Sequence, residues 1–238
     1  GSAGTAVVTM NSAALWTDSR YFIQAEEQLR GTELQLMRQG LPQTPTIAEW
    51  LQQQIVLPTK VSNPPQSTEV GIDGMCLSVA DGRSLTAQLR SHGGFTFRTN
   101  FDLLQEAWTD RPDVPLQPVH IHPLEYAGEP AEQKLERICE ALRHSHADGM
   151  LVSALDEVAW TLNLRGSDID HNPVFVSYLL IRQHGATLFI DRRKVSDNVI
   201  AYLSRLGVEI QPYGEIHRQL AQYADYSILI DPAQTSIA

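Results

Sequence analysis

An internal repeat is the feature that most constrains the fold of this chain. Residues 15–20 (LWTDSR) match residues 188–193 (LFIDRR), and in each copy an apolar, strand-like run ends in Asp-x-Arg and opens a helix. Each copy continues with a strand, a helix, another strand and an Ile-Asp pair, at residues 72–73 and 230–231. Two unrelated α/β segments would contain the same kinds of element, but the shared order and the shared Asp positions favour a duplication. The sequence therefore predicts two related α/β domains.

The boundary between the domains is predicted from one stretch of unusual composition. Residues 108–118 (WTDRPDVPLQP) contain three prolines and few apolar side chains, which is typical of a linker. We predict a first domain over residues 1–110, a linker over residues 111–118 and a second domain over residues 119–238. The offset between the copies is 191 − 18 = 173 residues. Applied to both ends, it predicts a first domain that is incomplete at its start and a second domain that is incomplete at its end.

Composition argues against several classes of function. The chain has 238 residues, with 18 Lys or Arg against 28 Asp or Glu, so its formal net charge is −10. An acidic chain without a basic run has no electrostatic footprint for nucleic acid or for an anionic membrane, and we expect neither as a partner. The two cysteines, Cys76 and Cys139, argue against a disulfide scaffold. Together with the lack of an N-glycosylation sequon, they favour a cytoplasmic protein.

The patterns that resemble metal sites fail on inspection. His120 and His122 have the spacing of a barrel metal site, but too little chain follows to close a barrel. A pair of histidines near solvent at the end of a strand is the better interpretation. Residues 168–172 open like a calcium-binding loop, but Pro173 and Leu179 stand where that loop needs Gly and Glu. We therefore expect no catalytic residue and no metal ligand in this chain.

One polar loop stands out between an apolar helix and an apolar strand, at residues 162–175 (LNLRGSDIDHNPVF). Its chemistry leaves two interpretations open. In the structural interpretation, Gly166 ends the helix in a left-handed conformation and Asp168 accepts hydrogen bonds within a turn. In the functional interpretation, the loop is a contact surface on which Arg165 donates to a carboxylate or a carbonyl.

The same loop resembles a known family. Residues 153–175 closely resemble the second-domain segment of aminopeptidase P, the Xaa-Pro aminopeptidases. Residues 1–6 (GSAGTA) and 15–22 (LWTDSRYF) resemble the first domain of that family, and residues 108–112 resemble its interdomain segment. The resemblance implies two tandem domains of the creatinase/prolidase N-terminal type, with mixed β-sheets flanked by helices. It also implies a third, pita-bread domain beyond this chain, in which two Asp, one His and two Glu bind two divalent metal ions, Mn or Zn.

The resemblance implies a function for the chain. It would be the non-catalytic N-terminal portion of a metal-dependent Xaa-Pro aminopeptidase, an enzyme that removes the N-terminal residue from peptides with proline second. This portion would shape substrate access and support assembly, including a possible homodimer. The alternative is a stand-alone binding or scaffold module of the same domain type.

Two corners of the chain are the expected contact sites for the pita-bread domain and the peptide substrate. The residues expected to face them are Arg20, Tyr21, Arg165, Asp168, His171 and Asn172. Arg165 and Asn172 would act through charge-assisted hydrogen bonds to partners outside the chain, so folding of the chain alone should tolerate Arg165→Ala. Arg20 is the weaker candidate, because it can pair with Asp18 across the start of its own helix.

Overall fold

The computed structural model describes residues 3–56, 68–90 and 95–238, and packing divides the chain into two units. The first unit comprises Gly1–Gly71 and Gly82–Arg98, and the second comprises Ile72–Asp81 and Thr99–Ala238. The predicted linker, residues 111–118, belongs to the second unit by this division. The first two residues of the GSAGTA motif lie outside the described residues.

The first unit is built around strand β2. Its described elements are β1 (Thr5–Val8), β2 (Ala13–Thr17), α1 (Phe22–Gln28), β3 (Leu34–Arg38), α2 (Ile47–Val56), β4 (Thr68–Gly71), most of α3 (Val79–Arg90) and β5 (Phe95–Arg98). Strand β2 runs antiparallel to β1 and parallel to β3, while β4 and β5 form a separate parallel pair. Alternation along β2 buries Ala14 and Trp16. Trp16 packs edge-to-face on Trp50 of α2, with 5.5 Å between the ring centroids, and this contact anchors the small core.

The second unit contains a five-stranded mixed sheet. Its elements are β6 (His120–Ile121), α4 (Leu124–Ala127), α5 (Ala131–His144), β7 (Gly149–Val152), α6 (Leu155–Thr161), β8 (Leu164–Arg165), β9 (Tyr178–Arg182), β10 (Gly185–Phe189), α7 (Asp197–Arg205), β11 (Val208–Gln211), α8 (Ile216–Ala221) and β12 (Ile228–Ile230). The order of strands in the sheet is β11-β10-β9-β7-β12. Strand β9 is antiparallel to both of its neighbours, whereas the two outer pairs are parallel. Strands β6 and β8 form a separate antiparallel pair.

Both faces of this sheet are covered, as its central strand shows. Leu179, Leu180 and Ile181 follow one another in β9 and each is at most 1% exposed. Because successive side chains point to opposite faces, a continuous buried run requires packing on both sides. Leu179 and Ile181 join the main core, while Leu180 packs with Ile216 of α8 on the other face. Each fully buried apolar side chain of this kind contributes roughly 1.5–3 kcal/mol.

The predicted repeat is visible in the backbone. Strands β2 and β10 are each antiparallel to the strand before them and parallel to the strand that follows. Each is followed by an aspartate that caps a short 3-10 turn. Asp18 accepts a hydrogen bond from the backbone N–H of Arg20 at 3.0 Å, and Asp191 accepts one from the N–H of Arg193 at 2.9 Å. The two copies therefore share a strand order and a capped turn.

Candidate functional site

The polar loop at residues 162–175 joins α6 to β9 and contains the short strand β8. Helix α6 ends at Thr161, and Asn163 adopts the left-handed conformation that follows it, with φ 49°. The expectation that Gly166 supplies this conformation is therefore wrong. Gly166 is needed for its size instead, because a Cβ there would lie 2.8 Å from the Cβ of Phe175.

Asn163 also ties the loop to α5 through a buried lysine. Its Oδ1 accepts a hydrogen bond from Lys134 Nζ at 2.7 Å, and its Nδ2 donates to the carbonyl of Glu129 at 2.8 Å. Lys134 is 1% exposed, and its Nζ also donates to the carbonyl of Trp160. The same Nζ lies 4.1 Å from the centroid of the Trp160 ring. Burial is the main cause that lowers the pKa of Lys134. Sequence reasoning missed this contact, because a lysine on an amphipathic helix is usually exposed.

Arg165 divides its donors between the interior and the surface. Its Nη1 donates to the carbonyls of Ala159 and Leu164, both at 2.8 Å, and these bonds hold the guanidinium at the end of α6. Its Nε and Nη2 make no hydrogen bond to the described residues. Because Arg165 has acceptors inside the chain, the expectation that folding tolerates Arg165→Ala is not supported. The expectation that Arg165 contacts an outside partner stays a prediction, and Nε and Nη2 are the donors that have no acceptor among the described residues.

Asp168 is turned towards the interior of the second unit. Its Oδ2 accepts a hydrogen bond from the backbone N–H of Val176 at 2.7 Å and forms an ion pair with the ammonium group of Lys194. The two side chains of this pair are 0% and 1% exposed. The expectation that Asp168 faces substrate or a neighbouring domain is therefore not supported, because its carboxylate is buried and its Oδ2 is bound inside the fold. The ion pair between Asp168 and Lys194 connects the polar loop to the turn that follows β10.

His171 and Asn172 form the exposed tip of the loop. The backbone N–H of Asn172 donates to the carbonyl of Ile169 at 3.1 Å and closes a tight turn. His171 occupies the left-handed region in this turn, with φ 62°. That conformation is unfavourable for a residue with a side chain, by roughly 1–2 kcal/mol. The tip thus presents an imidazole and an amide to solvent, and their predicted roles stay predictions.

Arg20 engages its guanidinium within its own turn. Its Nε and Nη2 donate to the two carboxylate oxygens of Asp18 at 2.9 and 2.6 Å, and its guanidinium carbon lies 5.3 Å from the centroid of the Tyr21 ring. The hydrogen bond from Arg20 lowers the pKa of Asp18. In the second copy, Arg193 makes the same forked contact and lowers the pKa of Asp191 to about 2. The repetition indicates that these pairs stabilise the turn.

Tyr21 lines a cavity of about 330 Å³ in the first unit, together with Leu15, Thr17 and Gln24. The six candidate residues predicted from the sequence lie in two different units. Arg20 and Tyr21 belong to the first unit, whereas Arg165, Asp168, His171 and Asn172 belong to the second. Within the second unit, the structure brings the last four into one loop.

Two further features are absent from residues 3–56, 68–90 and 95–238. These residues contain no group of three or more His, Cys, Asp or Glu side chains placed to hold a metal ion. They also contain no helix that is both long enough and apolar enough to cross a membrane.

The fold and the repeated turn define a protein of two tandem α/β domains with mixed sheets. Residues 1–97 and residues 110–238 each match a family model described as the creatinase/prolidase N-terminal domain. The chain belongs to this family. The fold class implied by the resemblance in the sequence is therefore confirmed.

The relatives of the chain are considerably longer than the chain itself. Aminopeptidase P2 of Arabidopsis thaliana is 38% identical over 242 residues, which cover 100% of this chain and 33% of the relative. The probable Xaa-Pro aminopeptidase P of Botryotinia fuckeliana is 40% identical over 91% of this chain and 32% of its own length. A solved structure, the X-prolyl aminopeptidase of Caenorhabditis elegans, has a TM-score of 0.87 and 30% identity, covering 98% of this chain and 38% of that one. It is described as a cytosolic enzyme with a di-nuclear active site. The chain spans about a third of the length of the curated relatives it matches.

Proposed function

We propose that this chain is the non-catalytic N-terminal portion of a metal-dependent Xaa-Pro aminopeptidase. The observation that carries the proposal is the extent of the similarity. Relatives with this activity in their names match the whole chain, yet the match covers about a third of each relative. The reaction is assigned to the remainder, a pita-bread domain with two Mn or Zn ions, in keeping with the di-nuclear site of the nematode relative. The substrate is a peptide with proline second.

The role proposed for the chain is to shape substrate access to that domain and to support assembly of a cytoplasmic homodimer. The exposed loop tip and the outward donors of Arg165 support a contact role, because they present polar groups without partners among the described residues. The acidic net charge supports a partner other than nucleic acid or membrane.

The assignment is tested by comparing two proteins. One is this chain alone, and the other is a longer protein that also contains the region corresponding to the remainder of the relatives. With Mn²⁺ or Zn²⁺ present, we expect the longer protein to cleave Xaa-Pro peptides and the chain alone to be inactive. Metal-dependent turnover by the purified, sequence-verified chain would overturn the proposal. An intact mass of the natural protein equal to that of this chain would instead favour a stand-alone module.

The role of the loop tip is tested in the longer protein with a matched pair of variants. Asn172→Ala should lower kcat/KM by roughly tenfold, which corresponds to about 1.4 kcal/mol, while leaving the melting temperature unchanged. Asn198→Ala removes an exposed amide from α7 of the same unit and should change neither quantity. Equal kinetics for the two variants would show that the tip contacts neither substrate nor the catalytic domain.

A further inference from the structure

The surroundings of Arg165 are cationic although the chain as a whole is acidic. Burial is the main cause that lowers the pKa of His122 and of Lys134, and the positive charge of Arg165 lowers both further. Within the described residues, the carboxylate that acts on Lys134 is that of Glu129. Glu129 is already bound through both oxygens by Arg137, at 2.8 and 3.1 Å. The region therefore has an excess of positive charge and a counter-ion that is already engaged.

The guanidinium of Arg165 is oriented before any ligand arrives. Nη1 has two hydrogens, and both are used by the carbonyls of Ala159 and Leu164. These two bonds fix the plane of the group, so that Nε and Nη2 lie together on its other edge. Two parallel N–H groups on one edge match the two oxygens of a carboxylate. Because the side chain is held in place, binding there loses less conformational entropy than binding to a mobile surface arginine.

Two exposed aromatic residues belong to the elements that hold Arg165. His120 lies directly opposite Arg165 in the β6–β8 pair, and its side chain is exposed. Trp160 directly follows Ala159, one of the residues that hold the guanidinium, and 44% of its surface is exposed. The indole of Trp160 packs against Lys134 and Arg137, whose charged groups lie 4.1 and 6.0 Å from its ring centroid, whereas His120 is the partner of Arg165 across the strand pair. An exposed aromatic ring beside a fixed cation suits a ligand that carries an apolar group beside its charge.

We infer that the Nε–Nη2 edge of Arg165, opposite His120 in the β6–β8 pair, is a binding site for a carboxylate that stands next to an apolar side chain. The end of a peptide and the side chain of an Asp or Glu residue both supply this chemistry. The inference uses only residues of this chain and does not depend on the proposed function.

The test is an NMR titration of the ¹⁵N-labelled chain, observed at the Nε–H resonance of Arg165 and the imidazole nitrogen resonances of His120. N-acetyl-phenylalanine supplies an α-carboxylate, N-acetyl-Phe-Glu-amide supplies a side-chain carboxylate, and N-acetyl-phenylalanine amide supplies neither. We expect at least one of the two carboxylates to shift both resonances to saturation, and the neutral amide to leave them in place. Preference for the first probe identifies a peptide terminus as the source, and preference for the second identifies a protein segment.

Variants separate a built site from general attraction to surface arginines. Arg165→Lys, which cannot form the fork, should weaken binding at least about threefold as observed at His120. Arg205→Lys changes an exposed arginine of α7 and should leave the affinity unchanged. Equal binding of the neutral amide, an equal shift of the Arg205 Nε resonance, or unchanged affinity in Arg165→Lys would each overturn the inference. The comparison of carboxylate with amide in the unaltered chain holds even where a variant fails to fold.

Discussion

Replacing Lys194 should destabilise the second unit far more than replacing its neighbour Arg193. Each of these residues pairs with an aspartate of the same unit, but their surroundings differ. The side chains of Lys194 and Asp168 are 1% and 0% exposed, whereas those of Arg193 and Asp191 are 71% and 33% exposed. The comparison therefore isolates the effect of burial on an ion pair.

The magnitude follows from what each substitution leaves behind. Lys194→Met preserves most of the side-chain volume but leaves the buried carboxylate of Asp168 with the N–H of Val176 and no counter-ion. Removing one partner of a buried pair costs about 3–5 kcal/mol. In Arg193→Met, water replaces the lost contact to Asp191, so the loss should be much smaller.

The measurement is the free energy of unfolding from urea titration, together with hydrogen exchange of the amides in β9 and β10, which reports on the second unit alone. A double variant, Asp168→Leu with Lys194→Met, should recover much of the loss because it leaves no charge buried, although the Val176 N–H then lacks an acceptor. If Lys194→Met costs no more than Arg193→Met, or if the double variant is less stable than Lys194→Met, the argument from burial is wrong.

Three further predictions concern the loop and its surroundings. The pKa of His122 should lie below 6.5 in an NMR titration and rise in Arg165→Gln. The contribution of His122 to stability is then complete above pH 6.5 and is lost as the pH falls through the lowered pKa. An unchanged titration midpoint in the variant would contradict this. Asn163→Ala should lower the free energy of unfolding by about 1–3 kcal/mol in urea titrations, because Lys134 loses an acceptor, and a neutral effect would contradict the role given to that contact. His171→Gly should keep or raise the melting temperature while His171→Val lowers it, since φ is 62° there, and the reverse order would contradict the strain.

The elements of the fold could be predicted because their signals are local. The hairpins depend on alternation over a few residues. Each capped turn depends on an aspartate that accepts a hydrogen bond from the backbone N–H two residues later. The Ile-Asp pair near the end of each copy forms the same kind of contact. Asp73 accepts from the N–H of Met75 at 2.9 Å, and Asp231 accepts from the N–H of Ala233 at 2.8 Å. Such contacts are encoded in adjacent residues and survive in both copies.

The interior of the candidate site could not be predicted, because its contacts are distant in sequence. Lys134 meets Asn163 across 29 residues, and Lys194 meets Asp168 across 26. Each lysine stands where a solvent-exposed charge is the usual outcome, and only the folded loop supplies the acceptor that makes burial favourable. For the same reason, the sequence predicts that Asp168 contacts an outside partner, whereas its carboxylate pairs with Lys194 in the interior.

The two copies differ at the last residue of the shared 3-10 turn. With the offset of 173, Lys194 corresponds to Tyr21. In the second copy, Lys194 forms a buried ion pair with Asp168 and so holds the polar loop in place. In the first copy, Tyr21 lines a cavity. Because the Asp-x-Arg turn is the same in both, it cannot account for a function found in one copy alone. We therefore expect the chemistry specific to the second copy in the loop that its lysine holds, where Arg165, His171 and Asn172 are the groups proposed to recognise a partner.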